Sequence, residues 1–138
     1  MQTLNCKLIA DVAVFSNDEV LLVKYKDQNK YDHQIGWFLP DDLVKEFEHP
    51  DDAAKRILKE QLNLSDIKIK LENIESFQGG DKSWHLVFHY KTELQAKTGV
   101  KPSEEIQTVE WFALNNLPDK KDVAHHGWAL YTIDNVKC

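Results

Sequence analysis

Cysteine, glycine and proline are all scarce in this chain of 138 residues, with two, five and four copies respectively. The two cysteines, Cys6 and Cys138, stand at opposite ends, a count and spacing that provide neither a disulfide framework nor a structural zinc site. So little glycine and proline rules out a collagen-like or linker-rich chain. No run approaches the roughly 18 apolar residues of a membrane helix, and Met1 to Lys7 lacks the apolar centre of a secretory leader. Basic residues are outnumbered, 17 Lys and Arg against 23 Asp and Glu, for a formal net charge of −6. Broad electrostatic binding to nucleic acid needs clustered Lys and Arg, so that class is disfavoured. A nucleotide ligand stays open, because one phosphate group needs only a local patch and a metal ion. These absences predict a single domain over residues 1–138, cytoplasmic, with no nucleic-acid and no membrane partner.

What is present suits an ordinary globular core: 42% of residues are hydrophobic and 29% charged. A chain of this length buries roughly 68–70% of its unfolded surface and needs no staples. Leu8 to Phe15 is an apolar run rich in Val and Ala, as in a strand buried on both faces. Ser16-Asn17-Asp18 signals a turn, and Glu19 to Lys26 reads as the returning strand. Asp27 to Gln34 is a polar loop, and Gly36 to Pro40 a short aromatic strand that proline stops.

The clearest helix follows. Pro50 stands at its start, Asp51 and Asp52 complement the dipole of its first turn, and Ala53, Ala54, Ile57, Leu58 and Leu62 recur at helical spacing. Asn63 is a tolerable left-handed cap. Further strands are expected at Ile67 to Phe77, Trp84 to Leu94 and Thr108 to Leu114, with a closing helix from Asp122 to Asn135. In the strand from Trp84, the residues Trp84, Leu86, Phe88 and Tyr90 share one face, and His85, Val87 and His89 the other. The order predicts an α+β fold or an α/β/α sandwich around a mixed sheet.

The segment Gly36 to Leu64 resembles the Nudix box and its lead-in, G-x5-E-x7-R-E-U-x-E-E-x-G-U, with U aliphatic. With Glu48 on the first glutamate, Arg56, Leu58, Glu60 and Leu64 also match without a gap. Asp42 replaces the opening glycine, Ile57 the glutamate after the arginine, Gln61 the second paired glutamate, and Asn63 the late glycine. Gly36-Trp37-Phe38-Leu39-Pro40 looks like the family's approach to the box. Val109 to Leu114 followed by Leu117-Pro118 is similar to its penultimate strand and exit. The chain thus resembles the Nudix (MutT-like) hydrolases, with a degenerate box.

That resemblance implies the Nudix fold, cleavage of a diphosphate linked to another group, a Mg2+ or Mn2+ cofactor, a small nucleotide-type ligand and a homodimer. It places catalytic roles on Glu60, Glu48 and Arg56, and metal-ligand roles on Glu60, Glu48 and Asp42. Magnesium wants hard oxygen ligands, and carboxylates at i, i+3 and i+4 share one helical face. Those three positions hold Ile57, Glu60 and Gln61, of which only Glu60 keeps a charge, so metal binding is expected to be weakened.

Glu48 with Arg56 reads either as part of a metal site or as an ion pair bracing the loop on the helix. Asp41 and Asp42 read either as replacement ligands or as an acidic loop, for which Asp is well suited. Aspartate in place of glycine also questions the loop's backbone, because residues with a Cβ avoid positive φ. The histidines at 85, 89, 125 and 126 form no obvious ligand set, with His125 and His126 expected on different sides of the last helix. The four tryptophans serve the core more readily than base stacking. Three functions follow: a ligand-binding Nudix domain with hydrolysis lost or weakened, an active hydrolase with relocated carboxylate ligands, and a protein-interaction module.

Overall fold

A computed structural model describes residues 5–27 and 34–137. Six strands and two helices run in the order β1 (Cys6–Ser16), β2 (Glu19–Tyr25), β3 (Asp41–Leu43), α1 (Pro50–Leu62), β4 (Lys70–Gln78), β5 (Trp84–Glu93), β6 (Ile106–Ala113) and α2 (Ala124–Val136). The sheet is mixed, in the order β4-β5-β1-β2-β6, with β3 attached to β1. β1 and β5 are parallel; the other pairs are antiparallel.

β1 is apolar at successive positions because both of its faces are covered. Ala10, Val12 and Val14 join Leu21 and Val23 of β2 in a cluster under α1, together with Ala53, Ala54, Ile57, Leu58 and Leu62. Ala13 and Phe15 turn the other way and join Val20, Leu22, Ile133 and Val136 under α2. Two helices on opposite faces of one sheet make the expected three layers. No helix among the described residues is long and apolar enough to cross a membrane.

β1 and β2 pair only beside their turn, at Phe15 with Val20 and Ser16 with Glu19. Beyond it they splay, and residues 37–43 fill the opening. Phe38 exchanges backbone hydrogen bonds with Val23, Val12 N–H donates to the Pro40 carbonyl, and β3 pairs with Ile9 to Asp11. The regular strand therefore lies just beyond Pro40, not over Gly36 to Pro40 as the sequence suggested, where Trp37 and Phe38 make only isolated bridges. Proline lacks the N–H that a continuous ladder would need there. The polar loop expected from Asp27 to Gln34 falls largely outside the described residues.

The expected helix over Pro50 to Asn63 has the predicted ends. The His49 ring nitrogen Nδ1 accepts from Asp51 N–H at 3.0 Å. Asn63 adopts φ 57° and its amide donates to the Lys101 carbonyl at 2.6 Å. The last helix differs from expectation. A single 3-10 turn spans Lys120–Asp122, and within α2 the residues His125, His126 and Gly127 have φ of 53°, 57° and 87°. The regular helix runs from Trp128, and the two histidines lie in a left-handed break, not on opposite sides of a helix. Backbone bonds between Trp37 and both Asp122 and Ala124 pin the chain where it reverses.

Gly36 shows how tight that junction is: its φ is +122°, and a Cβ there would lie 2.6 Å from the Asp122 carbonyl oxygen. A Cβ at Gly80 would have nothing within 4 Å. Gly36→Ala should lower unfolding stability by about 2 kcal/mol, whereas Gly80→Ala should change it by less than about 0.5 kcal/mol. Urea denaturation of both variants checks this, and equal midpoints would contradict the packing described.

Candidate functional site

Arg56, on the second turn of α1, gathers the carboxylates that precede and follow it. Its Nε and Nη2 donate to the two oxygens of Glu48 at 2.9 and 3.0 Å. Nη1 donates to Asp42 Oδ2 at 3.1 Å, and Nη2 also to the Leu43 carbonyl at 2.9 Å. Glu60, one helical turn further on, places Oε2 3.7 Å from Nη1. The guanidinium's planar fork suits this, because it meets one carboxylate with two parallel bonds and keeps donors for others.

Backbone groups complete the cluster: Lys45 N–H donates to Glu48, and Leu43 N–H to Asp42. The Arg56 bonds hold the Glu48 carboxyl below the ordinary carboxylate range despite partial burial. Glu48 in turn raises the already high pKa of Arg56. Of the three acids, Glu60 is the most open, with its side chain about half exposed.

The two altered box positions lie elsewhere. Ile57 is fully buried in the apolar cluster beneath α1. Gln61, 1% exposed, closes a small polar circuit with Tyr25 and the backbone of Asp41. Asp41 N–H donates to the Tyr25 hydroxyl at 3.0 Å; that hydroxyl donates to Gln61 Oε1 at 2.8 Å; Gln61 Nε2 donates to the Asp41 carbonyl at 2.8 Å. A carboxylate at position 61 would set oxygen against oxygen at the last of these contacts. The amide is the group that satisfies both neighbours.

The structure thus brings Asp42, Glu48 and Glu60 together with Arg56, and separates Ile57 and Gln61 from them. Among the described residues, no three His, Cys, Asp or Glu side chains are grouped as a metal site would require. A guanidinium already stands among the carboxylates, and two of the helix positions have no anionic oxygen. This donor set does not fit the divalent ion that the resemblance implied.

Sequence reading missed a second polar cluster on the opposite face of the sheet. His89 is 2% exposed and lies between two acids, with Nδ1 2.8 Å from Asp11 and Nε2 2.6 Å from Glu75. Asp11 is the lone charge in the apolar run of β1, and in the parallel register it is the direct partner of His89. That isolated charge was the available signal. Carboxylates only accept, so the three groups must hold protons between them. Burial pushes the Asp11 carboxyl up. Burial also opposes a charged imidazole, but bonds to Asp11 and Glu75 outweigh it and raise the His89 pKa.

Glu75 forms part of a cavity of about 350 Å3 bounded also by Asp41, Phe77, His85, His125 and Trp128. A wider groove of about 840 Å3 runs along α1 past Lys55, Arg56, Lys59 and Lys68, with Asp51, Asp52 and Asp66 also lining it.

The NUDIX domain profile matches residues 7–131, nearly the whole span of this fold. The chain belongs to the Nudix family. Its fold is that of solved Nudix structures. A MutT Nudix hydrolase from Burkholderia pseudomallei superposes with TM-score 0.75 at 18% identity, over 95% of this chain and 98% of that one. A C. elegans Ap4A hydrolase gives 0.63 at 20% identity, over 91% and 95%. The E. coli dihydroneopterin triphosphate pyrophosphohydrolase gives 0.68 at 12% identity, over 95% and 96%. No curated protein matches the chain in sequence. At these identities the likeness concerns the fold, so the site of this Nudix domain is read from its own residues.

Arg56→Met should strip the cation from three acids and destabilise the domain by about 3 kcal/mol. Added Ca2+ should then raise the melting temperature of the variant more than that of the parent. Thermal melts with and without the ion check this, and a variant as stable as its parent would contradict it. Acid should act in the same direction. Glu48 is depressed in the folded state, so its stabilisation is complete above about pH 4.5 and is lost as pH falls through the lower folded value.

His89 behaves oppositely. Its stabilisation is complete below about pH 6.5 and is lost as pH rises through the raised folded value. Imidazole NMR titration should find this ring still protonated where an exposed histidine is neutral.

Proposed function

We propose that this Nudix domain binds a small nucleoside-diphosphate-type ligand in the cleft beside β3, and that metal-dependent hydrolysis by the family's usual route is lost or strongly weakened. The observation that carries this reading is the Arg56 cluster, where a fixed guanidinium pairs with Glu48 and Asp42 and approaches Glu60, while Ile57 and Gln61 bring no charge. A mobile metal ion can leave with its product and can polarise a phosphoryl oxygen directly. A guanidinium bonded on both edges to its own carboxylates has little left to offer a substrate. Gln61, held by Tyr25 and Asp41, supports the same reading, because its oxygen already accepts a hydrogen bond. Two structural neighbours are named for phosphate-bearing heterocycles, Ap4A and dihydroneopterin triphosphate, which supports a ligand of this general class.

In this reading the chain contributes binding and exclusion of water, with no covalent chemistry. A protein-interaction role is the second reading, favoured by Phe47, which is fully exposed at φ 63° in the loop before α1.

The test is phosphate release with and without Mg2+ and Mn2+ across nucleoside triphosphates, dinucleotides and nucleotide sugars, alongside thermal shifts from the same panel. The expected result is no chelator-sensitive turnover and a stabilising shift from at least one compound. Chelator-sensitive turnover that falls in Asp42→Ala and Glu60→Gln would establish instead an enzyme with relocated ligands. A folded sample with neither turnover nor shift would favour the interaction module.

A further inference from the structure

The cavity between β3, β4 and the break in α2 has unusual walls for a site expected to face phosphates. Phe77, His85, His125 and Trp128 supply rings, and Asp41, Asp42 and Glu75 line it too, with the Asp42 carboxylate held by Arg56; no lysine or arginine lines it among the described residues. The rings form corners, not stacks. Trp128 meets Phe77 at 5.8 Å and 88°, and His125 at 5.7 Å and 88°. Phe77 leans on His85 at 5.3 Å and 47°. In each edge-to-face pair the edge of one ring meets the face of the other, and His125 and Trp128 also meet Phe38 and His89, so the wall is aromatic surface whose ring faces carry the negative part of the quadrupole.

Formal charge has the same sign. Arg56 is one cation against Asp42, Glu48 and Glu60. With its imidazole protonated, His89 is one cation against Asp11 and Glu75. The Arg56 cluster keeps an excess of negative charge, and the two clusters border the cavity through Asp42 and Glu75.

Among the described residues, Glu75 is held through one oxygen: Oε1 takes the 2.6 Å bond from His89 and a 3.4 Å contact from the Trp128 indole N–H. The His85 ring, with a side chain 10% exposed, is a further group at the wall. Its Nε2 is buried without a hydrogen-bond partner, although Asp81 Oδ1 lies 3.4 Å away. The ring fits only because residue 79 is glycine, where any Cβ would collide with the imidazole.

We propose that this cavity takes a flat ring carrying delocalised positive charge, and that the ring, not the phosphate portion, is the part of the ligand this pocket selects. The inference rests on the ligand-binding reading above and specifies which end of the ligand enters here. Aromatic walls attract such a ring, and the Glu75 carboxylate compensates its charge as burial requires. An uncompensated phosphate would meet like charge on the same walls. The volume suits a ring of one or two cycles, at the small end of ligand sites.

A charged ring and its neutral isostere provide the experiment: 1-methylnicotinamide cation and nicotinamide, each titrated into the full chain in phosphate-free buffer. Chemical shifts of the Trp128 indole N–H report binding. The cation should bind about tenfold more tightly than nicotinamide. Glu75→Gln should reduce that preference to about threefold or less, while Glu104→Gln, in a distant loop, should leave it unchanged. Equal affinities, preference for the neutral ring, or no shift from either compound would overturn the proposal. Should Glu75→Gln fail to fold, the ratio measured on the unaltered chain decides alone. A nucleotide thermal shift without cation preference would remove this inference and keep the binding role. Cation preference without any nucleotide binding would do the reverse.

Discussion

The loop before α1 and strand β3 are tied to that helix in one arrangement because the Arg56 side chain, on its second turn, reaches both. Its charge is mostly removed from water, with the side chain only 13% exposed, so it must be met by fixed anions and acceptors. Glu48, Asp42 and the Leu43 carbonyl meet it. The cost of desolvating those groups is offset only while the geometry stays close to that described. The same contacts place Asp41, one residue upstream, where its backbone can join Tyr25 and Gln61. A charged hub on the surface side and a neutral circuit beneath it therefore support each other. One sets the loop's position, and the other satisfies the polar groups that this position buries.

These two clusters also separate roles that a carboxylate-rich helix would combine. Clustered acids on one helical face repel one another unless a cation lies among them. Here one position has become part of the hydrocarbon core through Ile57, and another has become an amide with two assigned partners. The remaining acids have a permanent counter-charge. Stability of the ligand-free domain is gained in proportion, and the electrostatic demand for a metal ion falls.

Much of the architecture was legible from residue order. The apolar run of β1, the turn at Ser16 to Asp18 and the periodic face of α1 each express one local rule, and each element formed close to its expected bounds. The Nudix fold followed from the motif's unbroken register. Less legible were features set by partners distant in sequence. The strand expected before Pro40 formed after it, because the opening between β1 and β2 decides where pairing is available. The left-handed break at His125 to Gly127 is held by Trp37 and the 3-10 turn, partners that the order of residues in the expected closing helix does not reveal. The site behaved similarly. The pairing of Glu48 with Arg56 was one of two readings open from the motif. The hydroxyl of Tyr25 and the His89 cluster belong to strands whose neighbours the sequence does not reveal; the charge of Asp11 in an apolar run was a signal that went unused.

The parallel pairing of β1 with β5 bears on how the chain is made. Asp11 and His89 are hydrogen-bonded partners 78 residues apart, so the middle of the sheet cannot close until β5 has left the ribosome. Until then β1 and β2 emerge as a hairpin joined only near its turn, apolar on both sides and lacking its central neighbour. Contacts so distant in sequence slow folding and prolong exposure of strand edges. Synthesis of this domain therefore includes an interval in which its most hydrophobic segment waits for its central neighbour. The lone acid Asp11 in that segment supplies the nascent strand with a charge that discourages self-association before His89 arrives to cover it.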